Sequence, residues 1–341
     1  MRPLTYSLLR DLSHEHFTSG VRLAEKYGVS RSAISDALRD ANESGIAIFS
    51  LTRKGYRLAA PIELLEVDRI RAALGAAVTR VDVEVLDTID STNSELMRRA
   101  SAGAPGGLCL ATELQTAGRG RRGRHWQSAL GASLMFSLLW RFDKGAAQLG
   151  GLSLVVGLAV LRALHDLGLP DLEQSQSDAV GLKWPNDIVA GNAKLAGVLI
   201  ETQGDMLGPT TVVIGIGINV NVSENFKMSI NQAVTDVNAI CMHGERPPSR
   251  NRLLAQMLQQ LVVALDEFRL TGFSGFKSAW QKHHVLHGKP VHVLFGDGST
   301  LDATVKDVAD DGALIVTING KELHVTAGEV SLRATAGKAK K

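Results

Sequence analysis

The chain has 341 residues, 45% of them apolar and 21% charged, and a formal charge of +2. That suffices for two or three globular domains with ample core, and it excludes a polyelectrolyte binder, so any nucleic-acid contact must come from a local patch. Two distant cysteines, Cys109 and Cys241, form no disulfide or zinc framework, and neither a signal-like N-terminus nor an apolar run of membrane-spanning length occurs, so a cytoplasmic protein without membrane contact is expected.

Residues 1–62 read as a winged helix-turn-helix. Val21 to Tyr27 has helical spacing, Gly28 suits the turn, and Ser30 suits the cap of the next helix. That helix turns Ala33, Ile34, Ala37 and Leu38 inward and leaves Arg31, Ser32, Ser35 and Arg39 outward. Ile46 to Phe49 and Gly55 to Leu58 then read as two short strands around a basic tip, Thr52-Arg53-Lys54. Residues 1–60 hold nine Lys/Arg against six Asp/Glu, a surplus that suits phosphate attraction. DNA contacts are expected from Ser30, Arg31, Ser32, Ser35, Arg39, Arg53 and Lys54. Asp36 and Asp40 on the same helix suit the alternative, a helical protein-interaction unit.

Pro61 to Glu66 reads as a connector into residues 63–284, where strand-like and helical segments alternate. Val81 to Ile89 reads as a strand and Glu95 to Ala100 as a helix, which puts Ser91, Thr92 and Asn93 at their junction. These are polar groups for a ligand or, more plainly, a helix cap with Glu95 in a capping box. Gln115 closes the next strand. Gly118 to Arg124 follows, with four arginines, three glycines and no acid. Glycines admit a ligand to the backbone and arginines neutralise phosphate, although a flexible basic RNA-binding loop has the same composition. Gly-Lys-Ser/Thr is missing, so this is not a Walker loop. Trp126 lies just beyond.

Lys183 and Asp187 flank the turn Trp184-Pro185-Asn186. They read either as a surface ion pair or, in a phosphate site, as a phosphate-binding lysine and a carboxylate able to hold Mg²⁺. Lys194 precedes the buried strand containing Gly197. Val212 to Asn221 then carries Gly215 and Gly217 two apart, leaving one strand face bare for a flat ligand or for a closely crossing element. Residues 285–333 switch to period-two alternation, with turn signals at Gly296-Asp297-Gly298 and Asn319-Gly320. The basic tail, residues 334–341, is expected to be unstructured.

Taken in order, Ser91-Thr92-Asn93, Gln115 with Gly118–Arg124, Lys183 to Asp187, Lys194 to Gly197 and Gly215 to Asn219 resemble the biotin protein ligases. With the N-terminal block the chain is similar to their bifunctional bacterial form, ligase and biotin-operon repressor together, over about residues 18–333. The fold implied is a multidomain α+β one: a winged helix-turn-helix, a central mixed α/β domain of the class II synthetase/biotin ligase type, and a C-terminal SH3-like barrel. The activity implied is formation of biotinyl-5′-AMP from biotin and MgATP, then transfer to a lysine of the biotin carboxyl carrier protein. Repression at operator DNA by an adenylate-bound homodimer is implied beside it.

The same resemblance assigns roles. Arg121, Lys194, Lys183 and Asp187 would carry the chemistry, with Asp187 holding Mg²⁺. Ser91, Thr92, Asn93, Gln115, Arg119, Gly120, Arg121, Lys194, Gly197, Gly215 and Gly217 would bind biotin. Arg119, Arg122, Arg124, Trp126, Asn186, Asn219, Ile230 and Val234 would bind ATP and the adenylate. One departure stands out: Val234 follows Asn231-Gln232-Ala233 where the enterobacterial form has a tryptophan. Two other readings are a ligand-sensing regulator with little ligase activity and a lipoate-type ligase; the Gly/Arg segment and the Lys183–Asp187 motif favour biotin.

Overall fold

The computed structural model describes residues 1–170, 179–241, 246–295, 298–326 and 330–334. Gly296 and Asp297 of one expected turn, and the tail from residue 335, lie outside the described residues.

At the N-terminus, α1 (Pro3–Asp11), α2 (Gly20–Tyr27) and α3 (Arg31–Glu43) precede the hairpin β1 (Ile48–Leu51) and β2 (Gly55–Leu58). Gly28 ends α2 in the left-handed region at φ 63°, and Ser30 Oγ accepts the Ala33 N–H at 3.1 Å to start α3. Leu23 and Ala24 pack against Ile34, Ala37 and Leu38. The first wing strand begins at Ile48 rather than Ile46, because the Ile46 N–H is still bonded to Ala41 O at the helix exit.

A short helix, α4 (Val67–Ala73), leads into the central domain. Here β3 (Asp82–Ile89), α5 (Thr92–Ser101), β4 (Leu108–Gln115), β5 (Ser133–Phe142), α6 (Leu152–Asp166), β6 (Val180–Lys183), β7 (Asp187–Ala190), β8 (Ala193–Gly204) and β9 (Thr210–Asn219) follow in turn. They form a seven-stranded sheet ordered β3-β4-β5-β9-β8-β7-β6, in which β3 and β4 are parallel and the other pairs antiparallel. Strand β5 is buried on both faces, which is why Leu134 to Trp140 reads as a nearly unbroken apolar run. Leu96 of α5 joins Leu110, Leu139 and Val213 on one face. Helix α6 packs with a later helix, α9 (Arg250–Thr271), in the main core on the other face. In chain order α7 (Glu224–Ser229) and α8 (Val237–Ile240) come between β9 and α9, and α10 (Lys277–Lys282) follows.

Strands β10 (Pro290–Phe295), β11 (Thr300–Val308), β12 (Leu314–Ile318), β13 (Lys321–Val325) and β14 (Val330–Ala334) make an antiparallel sheet ordered β13-β12-β11-β10-β14. Asn319 and Gly320 both take positive φ, 50° and 79°, as a two-residue hairpin turn requires. Val291, Val293, Val305 and Val316 face inward and share the central domain's core. Trp184 Nε1 donates to Gly312 O at 3.0 Å, so the C-terminal sheet is fastened directly to the Lys183–Asp187 turn. Among the described residues no helix is long and apolar enough to cross a membrane.

Candidate active site

The C-terminal ends of β3, β4 and β9 meet the N-terminal ends of β5 and β8 at one edge of the central sheet. A cavity of about 930 Å³ opens there. Every residue assigned above to the chemistry, to biotin or to the adenylate lines it, from Ser91, Thr92 and Asn93 at one side to Ile230 and Val234 at the other.

The polar side begins at the start of α5. Ser91 caps that helix by accepting the Ser94 N–H at 3.4 Å. The expected capping box does not form, because with Ser91 as the cap its N3 position is Ser94; Glu95, one residue on, pairs with Arg98 and Arg99 at 2.8 Å each. Thr92 N–H donates to Gln115 Oε1 at 2.8 Å, tying α5 to the end of β4. Asn93 Nδ2 donates to Glu201 Oε2 at 3.0 Å, and Glu201 also holds Arg119 at 2.9 Å. Buried Ser137 on β5 lies within 2.7 Å of both Thr92 Oγ1 and Asn93 Oδ1. Sequence reading passed over Glu201 and Ser137. A lone serine inside the apolar run of β5 and a carboxylate closing β8 were the available signals.

The bare face of β9 is occupied rather than open. A Cβ on Gly215 would stand 2.1 Å from Asn93 Oδ1, and one on Gly217 would stand 2.5 Å from the Trp126 ring. Gly215 is therefore a seat for Asn93 as well as part of the cavity lining. Trp126, expected beside the adenylate, lies across Gly217 and close to Gly197, on the face assigned to biotin. The Gly/Arg segment reaches it as a tight fold-back: Gly120 N–H bonds Arg124 O at 2.7 Å and Trp126 N–H bonds Gly118 O at 3.0 Å. Arg122 and Arg124 stay exposed on it.

The cationic side is built on β7 and β8. Lys183 and Asp187 are direct partners across the β6–β7 turn. Lys194 Nζ pairs with Asp187 Oδ1 at 2.7 Å and lies 5.6 Å from the Trp126 ring centre. Arg121 Nη1 donates to Asn186 Oδ1 at 3.0 Å, and Asn186 is pinned to β8 by its bond to Val198 O at 2.8 Å. Burial pushes the Arg121 guanidinium below the ordinary arginine range, while Asp187 pulls it back up. Asn219, expected to face the adenylate, spends its amide on Thr235 O at 3.0 Å and on Lys194 O. It thereby joins the Lys194 strand to the segment carrying Ile230 and Val234. From the C-terminal sheet Leu332 also reaches the cavity, a contribution no motif announced. The cavity thus joins hydrogen-bonding groups and apolar surface to a cluster of lysine and arginine, suited to bringing two anions together.

Asp187 is engaged by Lys194, and among the described residues no three His, Cys, Asp or Glu side chains gather as a metal cage. The donor set therefore does not fit a resident Mg²⁺. Away from the cavity, Ser30, Arg31, Ser32, Ser35 and Arg39 are exposed on and before α3, and Arg53 and Lys54 form the exposed tip of the wing. Arg39 is paired with Asp36 at 2.6 Å.

Comparison with known proteins agrees with this layout. A model of the biotin/lipoate A/B protein ligase family matches residues 85–219, one of the biotin protein ligase C-terminal domain matches 286–333, and one of an HTH domain matches 6–57. The bifunctional ligase/repressor BirA of Salmonella typhimurium is 36% identical over 97% of this chain and 98% of its own length. The biotin–[acetyl-CoA-carboxylase] ligase of Mycobacterium tuberculosis is 32% identical over 75% of this chain and 91% of its own. Among solved structures, the biotin protein ligase of Aquifex aeolicus in complex with biotin and ATP superposes with a TM-score of 0.59, at 26% identity, over 74% of this chain and 99% of that one.

Proposed function

This chain belongs to the biotin protein ligase family, in its bifunctional ligase/repressor form, and from that premise we propose how its residues do the work. It is an ATP-dependent biotin ligase and a DNA-binding repressor. In this reading residues 1–62 bind the operator of biotin-synthesis genes, residues 63–284 carry the chemistry, and residues 285–333 close the nucleotide side. The acceptor is a lysine of the biotin carboxyl carrier protein of acetyl-CoA carboxylase.

The observation that carries the chemistry is the gathering of Arg121, Lys183 and Lys194 at one end of the cavity, with the Ser91–Gln115 network at the other. In the first step a biotin carboxylate oxygen attacks the α-phosphorus of MgATP, and pyrophosphate leaves. Both reactants are anions, so the barrier falls mainly through fixed cations rather than a base. Lys194, held by Asp187, and Arg121, held by Asn186, bridge carboxylate and phosphate. Lys183 meets the phosphate oxygens, and Arg119, Arg122 and Arg124 close over them. Ser91, Thr92, Asn93, Gln115 and the Gly120 backbone hold the ureido ring. Trp126 over Gly217 and Gly197 lies under the apolar part of biotin, and Ile230, Val234 and Asn219 border the adenine.

In the second step the acceptor lysine, as its neutral amine, attacks the acyl carbon; the acyl–phosphate C–O bond breaks and AMP leaves. No enzyme nucleophile takes part. Closure of the Gly/Arg segment keeps water from the mixed anhydride.

The test is ATP-dependent labelling of a carrier-protein lysine, with biotin and lipoate compared. Transfer of biotin and not lipoate is expected, and absence of biotin transfer sinks the reading. Lys194→Ala should lower the adenylation rate roughly 10²–10³-fold, as loss of one fixed charge-stabilising donor does. For the repressor, adenylate that orders the loops at the cavity mouth favours a homodimer, which presents two helix-turn-helix units to paired half-sites. Sedimentation with and without biotinyl-AMP checks this, and a ligand-independent monomer–dimer balance overturns it.

A further inference from the structure

Asp236 is buried and takes no part in either step of the reaction. Its Oδ1 accepts the Ala239 N–H at 2.8 Å, which caps α8, and its Oδ2 accepts the Val222 N–H at 3.3 Å. The same Oδ2 pairs with Lys227 Nζ at 2.9 Å. Lys227 lies on α7 with its side chain only 16% exposed, whereas its other partner, Glu224 at 2.8 Å, is 80% exposed. The two partners are therefore unequal. A pair with an exposed carboxylate contributes little, but a buried carboxylate that loses its cation is left as an uncompensated charge.

Little else holds this stretch of chain. No residue of α7 is buried. Among the described residues, the other hydrogen bonds of residues 224–232 run no further than residues 223–232. Yet the stretch leads straight into the cavity wall: Ile230, Asn231 and Gln232 line it, and the Ile230 N–H is bonded to Lys227 O at 3.2 Å. The far end of the wall is fixed independently. Ala233 O accepts the Lys194 N–H at 2.9 Å, and the Thr235 N–H donates to Lys194 O at 3.0 Å. Lys227, reaching back to Asp236, sets the near end.

We propose that Lys227 is a positioning residue for the nucleotide: its bond to Asp236 sets the Ile230–Gln232 wall in place before ligand arrives, so that ATP need not order it. This rests on the ligase reading above, which puts the adenine beside Ile230 and Val234. A wall that is in place only part of the time lowers the apparent affinity by that fraction. Biotin, in the same reading, lies against the Ser91–Gln115 network and Trp126 and does not depend on α7.

The test is made on the full chain, with ATP KM, kcat and nucleotide-free biotin affinity compared among the unaltered protein, Lys227→Met, Lys227→Arg and Glu224→Gln. Lys227→Met is expected to raise the ATP KM about tenfold, as for a wall in place about a tenth of the time, with kcat and biotin affinity within about twofold. Lys227→Arg still reaches the carboxylate and should restore the KM, and Glu224→Gln should leave it unaltered. Amide exchange over residues 226–232 in the ligand-free protein should quicken in Lys227→Met and slow again with biotinyl-AMP. Should the stranded Asp236 lower the Tm, Lys227→Met with Asp236→Asn removes that charge, keeps an oxygen for the Ala239 N–H, and should show the same rise in KM. An unchanged ATP KM in Lys227→Met, or equal losses of ATP and biotin binding, overturns the proposal. An unaltered protein that neither binds biotin nor forms its adenylate overturns the ligase reading instead.

Discussion

Val234 forms a parallel bridge with Lys194 and, together with Ile230, gives the nucleotide end of the cavity an aliphatic cover. Neither side chain has a flat π-face, and stacking of a base on an aromatic ring contributes roughly 1–3 kcal/mol. Val234→Trp should therefore slow release of biotinyl-AMP by about tenfold. A chase of labelled adenylate measures this, and an unchanged rate places the adenine elsewhere. His284 acts on stability instead. It packs 4.5 Å from the Trp280 ring, near His287, Asp307 and Lys289, and burial, aided by His287, holds its pKa down to about 3. Folded protein thus keeps the ring neutral, while the unfolded chain takes a proton near pH 6.5. The stabilisation is complete above that pH and drains away as pH falls from there toward 3. Tm should drop between pH 7 and 5, and His284→Gln should flatten that slope; parallel slopes would assign the effect to another group.

At the scale of elements, the glycines of β9 are seats for side chains delivered by α5 and by the Gly/Arg segment. Gly217→Ala puts a methyl 2.5 Å from the Trp126 ring and forces the indole off the strand. The biotin KM should rise about tenfold, equivalent to roughly 1.4 kcal/mol. Adding Trp126→Phe should cost less than the sum of the two changes, since the smaller ring leaves room. Additive losses would mean that the two residues act apart. The same strand marks how far the sequence is legible. Period-two glycines announce a bare face, because alternation is a local property of one strand. They do not announce Asn93 and Trp126, which reach that face only through the packing of other elements. The helix-turn-helix was legible because Gly28 and Ser30 act on their immediate neighbours. The first wing strand was misplaced because the helix exit claimed Ile46 through a local backbone bond. Ser137 stayed hidden since β5 is buried on both faces, so one hydroxyl in an apolar run carries no period to betray its partners.

For the molecule as a whole, the repressor role needs order at the cavity to reach α3 through contacts that do not slip. One set is the pair Tyr6 to Thr88 and Arg10 to Asp87, both at 2.5 Å, which fastens α1 to the end of β3 just before Ser91. The other is Arg250 at the start of α9. Its guanidinium meets Glu113 Oε2, Glu63 O and Ser133 O, each at 2.8 Å, while Glu113 also accepts the Leu65 N–H. One buried arginine thus holds the interdomain linker, β4 just before Gln115, and β5 at the exit of the Gly/Arg segment. Glu113 and Arg250 are 0% and 2% exposed, so breaking the pair strands a buried carboxylate. Arg250→Met should cost about 3–5 kcal/mol of stability. It should also speed proteolysis of the linker near Pro61 modestly, because the guanidinium bond to Glu63 O is lost while the Arg250 N–H and Asn251 still hold the Glu63 carboxylate. Arg250→Met with Glu113→Gln removes the stranded charge but keeps an acceptor for the Leu65 N–H. Most of the stability should return, because a buried ion pair replaced as a unit costs little. The guanidinium bond to Glu63 O does not return, so proteolysis near Pro61 should stay at the rate of the single variant in the double variant. Recovery of stability without recovery of linker protection would separate the two functions of Arg250; loss of neither in the single variant would show that the domains are held together elsewhere.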